Sequence, residues 1–235
     1  MISVIIPALN AERHLPATLT ALVPPAVTGV VREVIVVDGG STDRTRQIAE
    51  LSGADIIRSE PSRGSQLAQG AARARFPWLL FLHADAVLED GWEREAVDFI
   101  HRVDVGDHPR AAAAFRFKID DKGLAPRVLE GIVRARCSLL KVPDGDQGLL
   151  VSRRLFDEVG GYKALPVMED VDIVRRLGRK RIAILRADAT ISAERYRRDG
   201  YLARILRNQT CRALFHAGLP ITTISRLYGN ANPAR

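Results

Sequence analysis

Ten residues carry the clearest structural signal of this chain: Val34-Ile35-Val36-Val37-Asp38-Gly39-Gly40-Ser41-Thr42-Asp43. A run of four β-branched residues is typical of a strand that is buried on both faces, and the two glycines allow a tight turn after it. Ser41 or Thr42 can cap a helix that follows the turn and runs to about Leu51. The stretch therefore predicts a strand, a turn and a helix, which is the repeating unit of an α/β fold.

The same unit recurs on both sides of this stretch. Strands are predicted at residues 2–6, 33–37, 55–58 and 78–82, and helices at residues 11–22, 64–75 and 91–102. This order predicts a mostly parallel sheet with helices on both faces. Ligands of such sheets bind at the carboxyl ends of the strands, so the residues just after each strand are the candidates for function.

The second half of the chain is less regular. Strands are predicted at residues 111–118, 148–152, 182–185 and 189–192, and helices at residues 124–140, 153–159 and 169–178. From 196 to about 228 the pattern favours two or three amphipathic helices, separated near Gly218-Leu219-Pro220. We expect one domain made of two halves, residues 1–110 and 111–192, followed by a helical tail at 193–235.

The composition of the 235 residues is that of a globular protein, with 46% hydrophobic and 27% charged residues. Cys137 and Cys211 are far apart and form no Cys-x-x-Cys motif. This excludes a disulfide scaffold and a cysteine-rich zinc site, and it favours a reducing, cytoplasmic compartment. The most apolar run, residues 76–88, contains His83 and Asp85, so no membrane-spanning helix is expected.

Charge is spread unevenly along the chain. Residues 175–235 contain 14 Lys and Arg against 3 Asp and Glu, a net charge of +11, whereas the whole chain carries +7. The first 174 residues therefore carry −4. The basic tail is interpreted either as a solvated helical face or as a surface for an anionic partner such as phosphates or the head groups of a membrane.

Acidic residues follow two of the buried strands. Asp38 comes directly after one of them, where a carboxylate can accept hydrogen bonds from a nucleoside, and Gly39 lets a ligand approach the backbone. The alternative role, helix capping, suits Asp43 better. After the next strand, His83 and Asp85 are two residues apart and would share one face if the strand continued. Asp85 suits a hard divalent cation that holds a diphosphate, whereas a His–Asp pair can also be purely structural.

Two further segments lie at predicted helix starts. Met168-Glu169-Asp170-Val171-Asp172 concentrates carboxylates that stabilise a helix N-terminus, and neighbouring carboxylates can also raise one another's pKa and create a general base. Arg63 and Gly64 open an alanine-rich helix, where a guanidinium and backbone N–H groups could bind phosphate.

Five motifs, taken in order, resemble family 2 glycosyltransferases of the GT-A fold. They are Ser3-Val4-Ile5-Ile6-Pro7-Ala8-Leu9-Asn10, the turn at Val37-Asp38-Gly39-Gly40-Ser41-Thr42-Asp43, Leu82-His83-Ala84-Asp85, Gly160-Gly161-Tyr162 and Glu169-Asp170. The resemblance covers about residues 1–180. In the tail, Ser192-Ala193-Glu194-Arg195-Tyr196 and the arginine-rich stretch after it are similar to a narrower subgroup, the bacterial transferases associated with radical-SAM and selenodomain proteins.

The resemblance implies a nucleotide-diphospho-sugar donor, a hydroxyl acceptor, Mg²⁺ or Mn²⁺, and inversion at the anomeric carbon. It makes residues 1–110 the nucleotide-sugar-binding half and 111–192 the acceptor half. By position it implies donor contacts from seven residues, the metal ligand Asp85, and a catalytic pair in which Asp170 is the base beside Glu169. The seven donor residues are Pro7, Asn10, Asp38, Gly39, Arg63, Gly64 and His83.

One residue departs from the family pattern, since His83 stands where the first acid of the Asp-x-Asp motif is expected. A lower metal affinity is the expected consequence. His216 in the tail is a further candidate ligand, although a histidine on a helix is more often structural. Asp172 is a weaker candidate base because it lies two positions from Asp170 on the helix.

Three other functions were weighed against transfer. A nucleotide-sugar-binding module would need Asp38 and Asp85 but not Asp170. A dinucleotide-dependent dehydrogenase is disfavoured because Pro7-Ala8-Leu9-Asn10 is not a Gly-x-Gly-x-x-Gly turn. A nucleic-acid-binding module would explain the basic tail, but aromatic residues make up only 6% of the chain and RNA-binding folds use them as stacking platforms. We therefore expect no nucleic-acid partner.

Overall fold

The computed structural model describes residues 1–106 and 111–229, which form one eight-stranded sheet with helices around it. The strands are β1 Ile2–Ala8, β2 Val31–Asp38, β3 Asp55–Arg58, β4 Trp78–Phe81, β5 Ala86–Leu88, β6 Ala112–Asp120, β7 Leu149–Ser152 and β8 Ile182–Ser192. The helices are α1 Leu15–Thr20, α2 Val23–Val27, α3 Thr45–Leu51, α4 Arg63–Arg73, α5 Trp92–Asp104, α6 Leu124–Leu140, α7 Arg153–Glu158, α8 Glu169–Leu177, α9 Glu194–Asp199, α10 Tyr201–His216 and α11 Ile221–Tyr228.

The strands run in the order β3-β2-β1-β4-β7-β6-β8-β5. The first four pair in parallel, as do β6 and β8, whereas β7 is antiparallel to both of its neighbours and β5 is antiparallel to β8. The predicted α/β class and the mostly parallel sheet are confirmed. The parallel half brings the carboxyl ends of β1, β2 and β4 to one edge, where a ligand can meet them.

Side chains of β1 alternate between two layers of core. Val4 and Ile6 pack into one hydrophobic cluster, and Ile5 packs into the cluster on the opposite face. The helix α4 covers the second face so closely that a Cβ on Gly70 would collide with the side chain of Ile5. The double-sided burial explains why β1 and β2 read as continuous apolar runs in the sequence.

The helical tail packs back onto the rest of the molecule. Cys211 of α10 and Ile224 of α11 are fully buried against Val167, Met168 and Val171, which flank and begin α8. This third, smaller cluster binds the tail to the segment that contains Glu169 and Asp170. The predicted two or three tail helices are confirmed as α9, α10 and α11.

Several local predictions were wrong. Ser41 and Thr42 do not cap α3; Asp43 accepts hydrogen bonds from the N–H and hydroxyl of Thr45 instead. The two strands predicted at 182–185 and 189–192 are one strand, β8, with a register shift opposite β6. β5 was not predicted, because it is only three residues long.

Two predicted boundaries touch residues outside the described ranges. The division between the halves, at residues 110 and 111, adjoins 107–110, and the end of the tail includes 230–235. Within 1–106 and 111–229, no helix is long and apolar enough to cross a membrane.

Candidate active site

A cleft of about 720 Å³ opens where β1 and β4 end, and it extends along the tail. Its lining includes predicted residues from both halves of the sheet and residues of the tail that were not predicted. The predicted ones are Pro7, Asn10, Arg63, His83, Asp85, Glu169 and Asp170. Asp38, Gly39, Gly64, Asp172 and His216 are not among the lining residues that the described part of the chain provides.

Asn10 joins the loop after β1 to the turn after β2. Its backbone has a positive φ of 48°, a conformation that asparagine tolerates better than most residues. Its N–H donates to Ser41 Oγ at 2.9 Å, and its Oδ1 accepts from the N–H of Thr42 at 2.9 Å. The two strand ends are thus held together on the floor of the cleft beside Pro7.

Asp38 is buried at the end of β2, with 1% of its surface exposed. Its two carboxylate oxygens accept from the N–H of Ser41 at 3.1 and 3.2 Å, and Arg46 Nε lies 3.8 Å away. The carboxylate therefore holds the 38–41 turn in shape. Gly39 lies against the side chain of Gln66, whose amide donates to the carbonyl oxygens of Ala8 and Val37.

His83 and Asp85 lie in a turn and not in a strand, because β4 ends at Phe81. Their side chains still come within 4.0 Å of each other. His83 Nδ1 lies closer, at 2.8 Å, to Asp146 Oδ1. Burial alone would raise the pKa of Asp146, but contact with His83 and the nearby charges of Arg63 and Arg195 hold it below its usual range.

Asp146 was missed in the sequence because it follows no predicted strand. It belongs to a single turn of 3₁₀ helix, Gly145–Gln147, that precedes β7. The visible signal was an aspartate between two glycines, Gly145 and Gly148, just before an apolar run. Such turns present side chains to a cleft, but nothing in the sequence indicates that this one returns to the end of β4.

Asp170 is the second residue of α8 and is held in place by the same turn. Its Oδ2 accepts from the N–H of Gly145 at 2.9 Å, and its Oδ1 accepts from the N–H of Val171 at 2.8 Å. A Cβ on Gly145 would lie 3.0 Å from the Cβ of Asp170 and 3.3 Å from His83 Nε2. A side chain at position 145 would crowd both groups, so glycine suits this close contact. The segment Asp144-Gly145-Asp146 therefore connects Asp170 to His83.

Asp172 has a different environment. It forms ion pairs with Arg176 and with Lys163 Nζ, the second at 3.4 Å. The first pair lies within α8, and the second ties α8 to the segment before it. Asp172 is saturated by two cations and does not line the cleft.

Glu169 is buried between charges of both signs. Only 2% of its side chain is exposed, and Arg63 Nη1 lies 3.5 Å from its Oε1. Burial, helped by the charge of Asp170 and opposed by Arg63, raises the pKa of Glu169 to about 7. Gly64, next to Arg63, donates its N–H to the carbonyl of Leu165 at 3.1 Å, so that N–H is not free for a phosphate.

Residues 3–139 match the family model described as glycosyl transferase family 2. The chain belongs to that family. The predicted family resemblance is confirmed, and the model match ends before the turn at Gly145–Gln147 and before α8.

Two curated relatives of this family 2 chain are mycobacterial. Glucosyl-3-phosphoglycerate synthase of Mycobacterium tuberculosis H37Rv is 34% identical over 95 residues, which cover 37% of this chain and 29% of the relative. A PGL/p-HBAD biosynthesis glycosyltransferase of Mycobacterium bovis BCG is 37% identical over 92 residues, 36% of this chain and 35% of the relative. The matched segment is thus about a third of each relative's length.

Solved structures resemble this chain over most of its length. The glucosyl-3-phosphoglycerate synthase of M. tuberculosis, in a complex with Mn²⁺ and UDP-glucose, superposes with a TM-score of 0.61 at 24% identity, covering 94% of this chain and 80% of that one. TarS residues 1–349 of S. aureus gives 0.62 at 18% identity, covering 97% and 69%. At these identities the similarity establishes the fold.

The raised pKa of Glu169 predicts a pH dependence of stability for this family 2 chain. Between pH 4.5 and about 7, folded Glu169 keeps a proton that the unfolded chain releases, so the free energy of unfolding falls as pH rises through this window. Across the whole window, this one carboxyl lowers the free energy of unfolding by about 3 kcal/mol.

Urea unfolding at about pH 4.5 and about pH 7.5 tests this pH dependence. The loss of stability between the two pH values should be smaller for Glu169→Gln than for the parent. Carboxylates with lowered pKa values, such as Asp43 and Asp188, are common to both proteins and cancel in this comparison. An equal pH difference in the two proteins would contradict the raised pKa.

Proposed function

We propose that this chain is an inverting glycosyltransferase that moves a sugar from a nucleotide-diphosphate donor to an acceptor hydroxyl. One observation carries the proposal: the cleft joins the strand ends of the parallel half to Asp170, through the hydrogen bond from Gly145. Family membership supports the reaction class. The M. tuberculosis structure with Mn²⁺ and UDP-glucose supports a nucleotide-sugar and a divalent cation as the ligands.

Asp85 and Asp146 are the residues that would hold the cation. Among the described residues, no three His, Cys, Asp or Glu side chains form a ready metal site. Two partly exposed carboxylates around His83 nevertheless suit Mg²⁺ or Mn²⁺, since such ions are commonly held by one or two carboxylates together with phosphates of the substrate. When bound, the ion would offset the charge that develops on the departing nucleotide.

Asp170 is the proposed general base. It is partly exposed in the cleft, and its orientation is fixed by hydrogen bonds from Gly145 and Val171. As the acceptor oxygen attacks the anomeric carbon, the Asp170 carboxylate takes the proton of that hydroxyl, and the bond to the nucleotide diphosphate breaks. Holding donor and acceptor in line supplies much of the remaining rate. Glu169 and Arg63 keep the start of α8 in position.

The tail completes the cleft in this proposal. Arg195 Nη2 lies 3.9 Å from Asp85 Oδ2, and Tyr196 is buried beside it. Arg195 is therefore available to the diphosphate as well as to Asp85. The same segment, Ser192-Ala193-Glu194-Arg195-Tyr196, supports our assignment to the radical-SAM and selenodomain-associated subgroup. We place the protein in the cytoplasm, because Cys137 and Cys211 are free thiols.

The alternative function is a nucleotide-sugar-binding module without catalysis. It is distinguished by donor turnover, since a binding module would release no free nucleotide from the sugar donor in the presence of metal. The first experiment is a thermal-shift screen of UDP-, GDP- and dTDP-sugars with Mn²⁺ or Mg²⁺, followed by an assay for nucleotide release with the donor that binds. Stabilisation by none of these donors would contradict both functions.

Replacing Asp38 is expected to weaken nucleotide binding. The carboxylate shapes the turn after β2, and Asp38→Ala removes both the charge and the acceptor for the N–H of Ser41. Calorimetry with the selected nucleotide should show a loss of about tenfold, the value of one hydrogen bond of about 1.4 kcal/mol. Asp38→Asn is the matched variant, because it keeps an acceptor for Ser41. Equal affinity of parent and Asp38→Ala would contradict a role in donor binding.

A further inference from the structure

Part of the cleft wall is built from α6 and α10 and has no role in the proposed donor site. Arg136 of α6 and Arg212 of α10 both pair with Asp144. Their side chains are largely buried, with 15% and 16% exposed. All three residues line the cleft. Two guanidinium groups share a single carboxylate here, so one positive charge is in excess.

Polar atoms in this wall lack partners. Two buried donors, Arg136 Nε and Arg212 Nη1, have no hydrogen-bond partner among the described residues, and the nearby buried acceptor Asn208 Oδ1 has none either. Buried donors and acceptors are nearly always satisfied in folded proteins, and each exception calls for an explanation. A bound polar ligand would supply one.

The electrostatics favour an anion as that ligand. Burial and the nearby charge of Arg136 lower the pKa of Arg212 to about 10. Burial and Arg136 thus disfavour the charge on Arg212, and the carboxylate that it pairs with, Asp144, is shared with Arg136. An added negative charge would reverse this effect, and a guanidinium binds phosphate and carboxylate groups in a bidentate geometry.

Helix α10 presents a row of polar side chains to the cleft. Arg204, Asn208 and Arg212 follow one another at intervals of four on α10, so they lie on one face of that helix, and all three line the cleft. Asp144 is followed by Gly145, which donates its N–H to Asp170. A group bound by Arg212 therefore occupies the same cleft as the proposed base.

We propose that Arg136 and Arg212 form an anion-binding subsite beside Asn208, and that the acceptor of the sugar carries a phosphate or carboxylate group that occupies it. The assignment of the bound anion to the sugar acceptor rests on the proposed function, whereas the anion-binding subsite itself rests on the arginine cluster alone. The subsite is separate from the diphosphate of the donor, which would lie near Arg63, Arg195 and Asp85. Its arginines also differ from Arg198, Arg204 and Arg207, which are paired with Asp199.

Calorimetric titration with inorganic phosphate tests the subsite without any turnover. We expect Arg212→Gln to weaken phosphate binding by about tenfold to a hundredfold, the value of a hydrogen bond to a charged group. Arg134→Gln is the matched control: it removes the same charge from α6, but Arg134 is exposed and does not line the cleft. Equal phosphate affinity in the two variants, or no binding by the parent, would overturn the proposal.

A second variant guards against a folding defect in Arg212→Gln. Asn208→Asp keeps both arginines and places a negative charge in the subsite, so it should weaken phosphate binding in the same direction. Thermal unfolding of each variant shows whether the fold is intact. Unchanged phosphate affinity in a folded Asn208→Asp protein would also overturn the proposal.

Vesicles distinguish the two sources of the anionic group. Parent and Arg212→Gln are sedimented with vesicles of phosphatidylglycerol and phosphatidylcholine, and with vesicles of phosphatidylcholine alone. Retention on the anionic vesicles that is lost in Arg212→Gln supports a phosphate on a lipid, and phosphate binding without retention supports a soluble acceptor. Retention that is equal in both proteins, without phosphate binding, would overturn the proposal. Donor binding is measured separately, so phosphate binding without sugar transfer would reject only the proposed function.

Discussion

Asp170→Asn is expected to lower the rate of sugar transfer by about 10²–10⁴-fold while the affinity for the donor is unchanged, because a positioned general base is worth that much. The amide removes the proton acceptor and keeps the shape of the side chain. It also keeps one oxygen that can accept the N–H of Gly145, which now donates to Asp170 at 2.9 Å. Single-turnover transfer, measured beside donor titrations, checks both parts of the expectation.

Asp172→Asn is the matched control, and it should show the opposite behaviour. Its carboxylate pairs with Arg176 and Lys163, so the variant should lose about 1–3 kcal/mol of stability. The transfer rate of the folded protein should stay near that of the parent, because Asp172 does not line the cleft. If Asp172→Asn lowers the transfer rate strongly and Asp170→Asn does not, the base is misassigned. If transfer occurs and neither variant changes its rate, neither carboxylate is the base and the acceptor reacts already deprotonated.

Asp85→Asn is expected to reduce turnover on the order of a thousandfold, since a divalent cation contributes several kcal/mol of charge stabilisation in such reactions. Excess chelator should abolish turnover of the parent. His83→Ala should cost less, about tenfold, because His83 contacts Asp146 and acts on the site through that carboxylate. Calorimetry with Mn²⁺, in the presence of the selected nucleotide, provides a reading that does not depend on turnover.

Asp90→Asn is the control for the loss of an acidic residue in the same region. Asp90 is exposed, five positions after Asp85, and does not line the cleft. Its replacement should leave both Mn²⁺ binding and turnover unchanged. Full turnover in excess chelator would contradict the metal requirement. A loss in His83→Ala as deep as that in Asp85→Asn would contradict the ranking of the two residues.

The parallel half of the sheet was predictable because its signals are local. Each strand there is a short apolar run with a polar residue at its end, and the periodicity of the helices between them is visible in the sequence. The limits of β3 and α6 were predicted at residues 55–58 and 124–140, as observed. The proximity of His83 and Asp85 was also predicted. The prediction assumed that the strand continued through both residues, whereas they lie in the loop that follows β4.

The rest of the site depends on contacts between distant parts of the chain. Asp146 reaches His83, and Arg212 reaches Asp144, across 63 and 68 positions of sequence, respectively. No periodicity or local motif encodes such pairs. The basic tail was recognised as unusual from its charge, but charge alone does not indicate that α10 forms a wall of the cleft. Tertiary packing determines which of its arginines face inward.

The segment Asp144-Gly145-Asp146 also bears on how this protein could be redesigned or could diverge. Its three consecutive residues contact the arginine pair, the proposed base and His83, respectively. A change that alters one of these contacts moves the backbone on which the other two depend, so the segment offers little freedom for gradual adaptation. On the inner face of α10, Arg212 shares this constraint through Asp144, but Arg204 pairs with Asp199 and contacts Tyr228 instead, so that part of the helix lies outside it. New acceptor preferences would therefore be selected most readily by varying that helix, with the catalytic turn left intact.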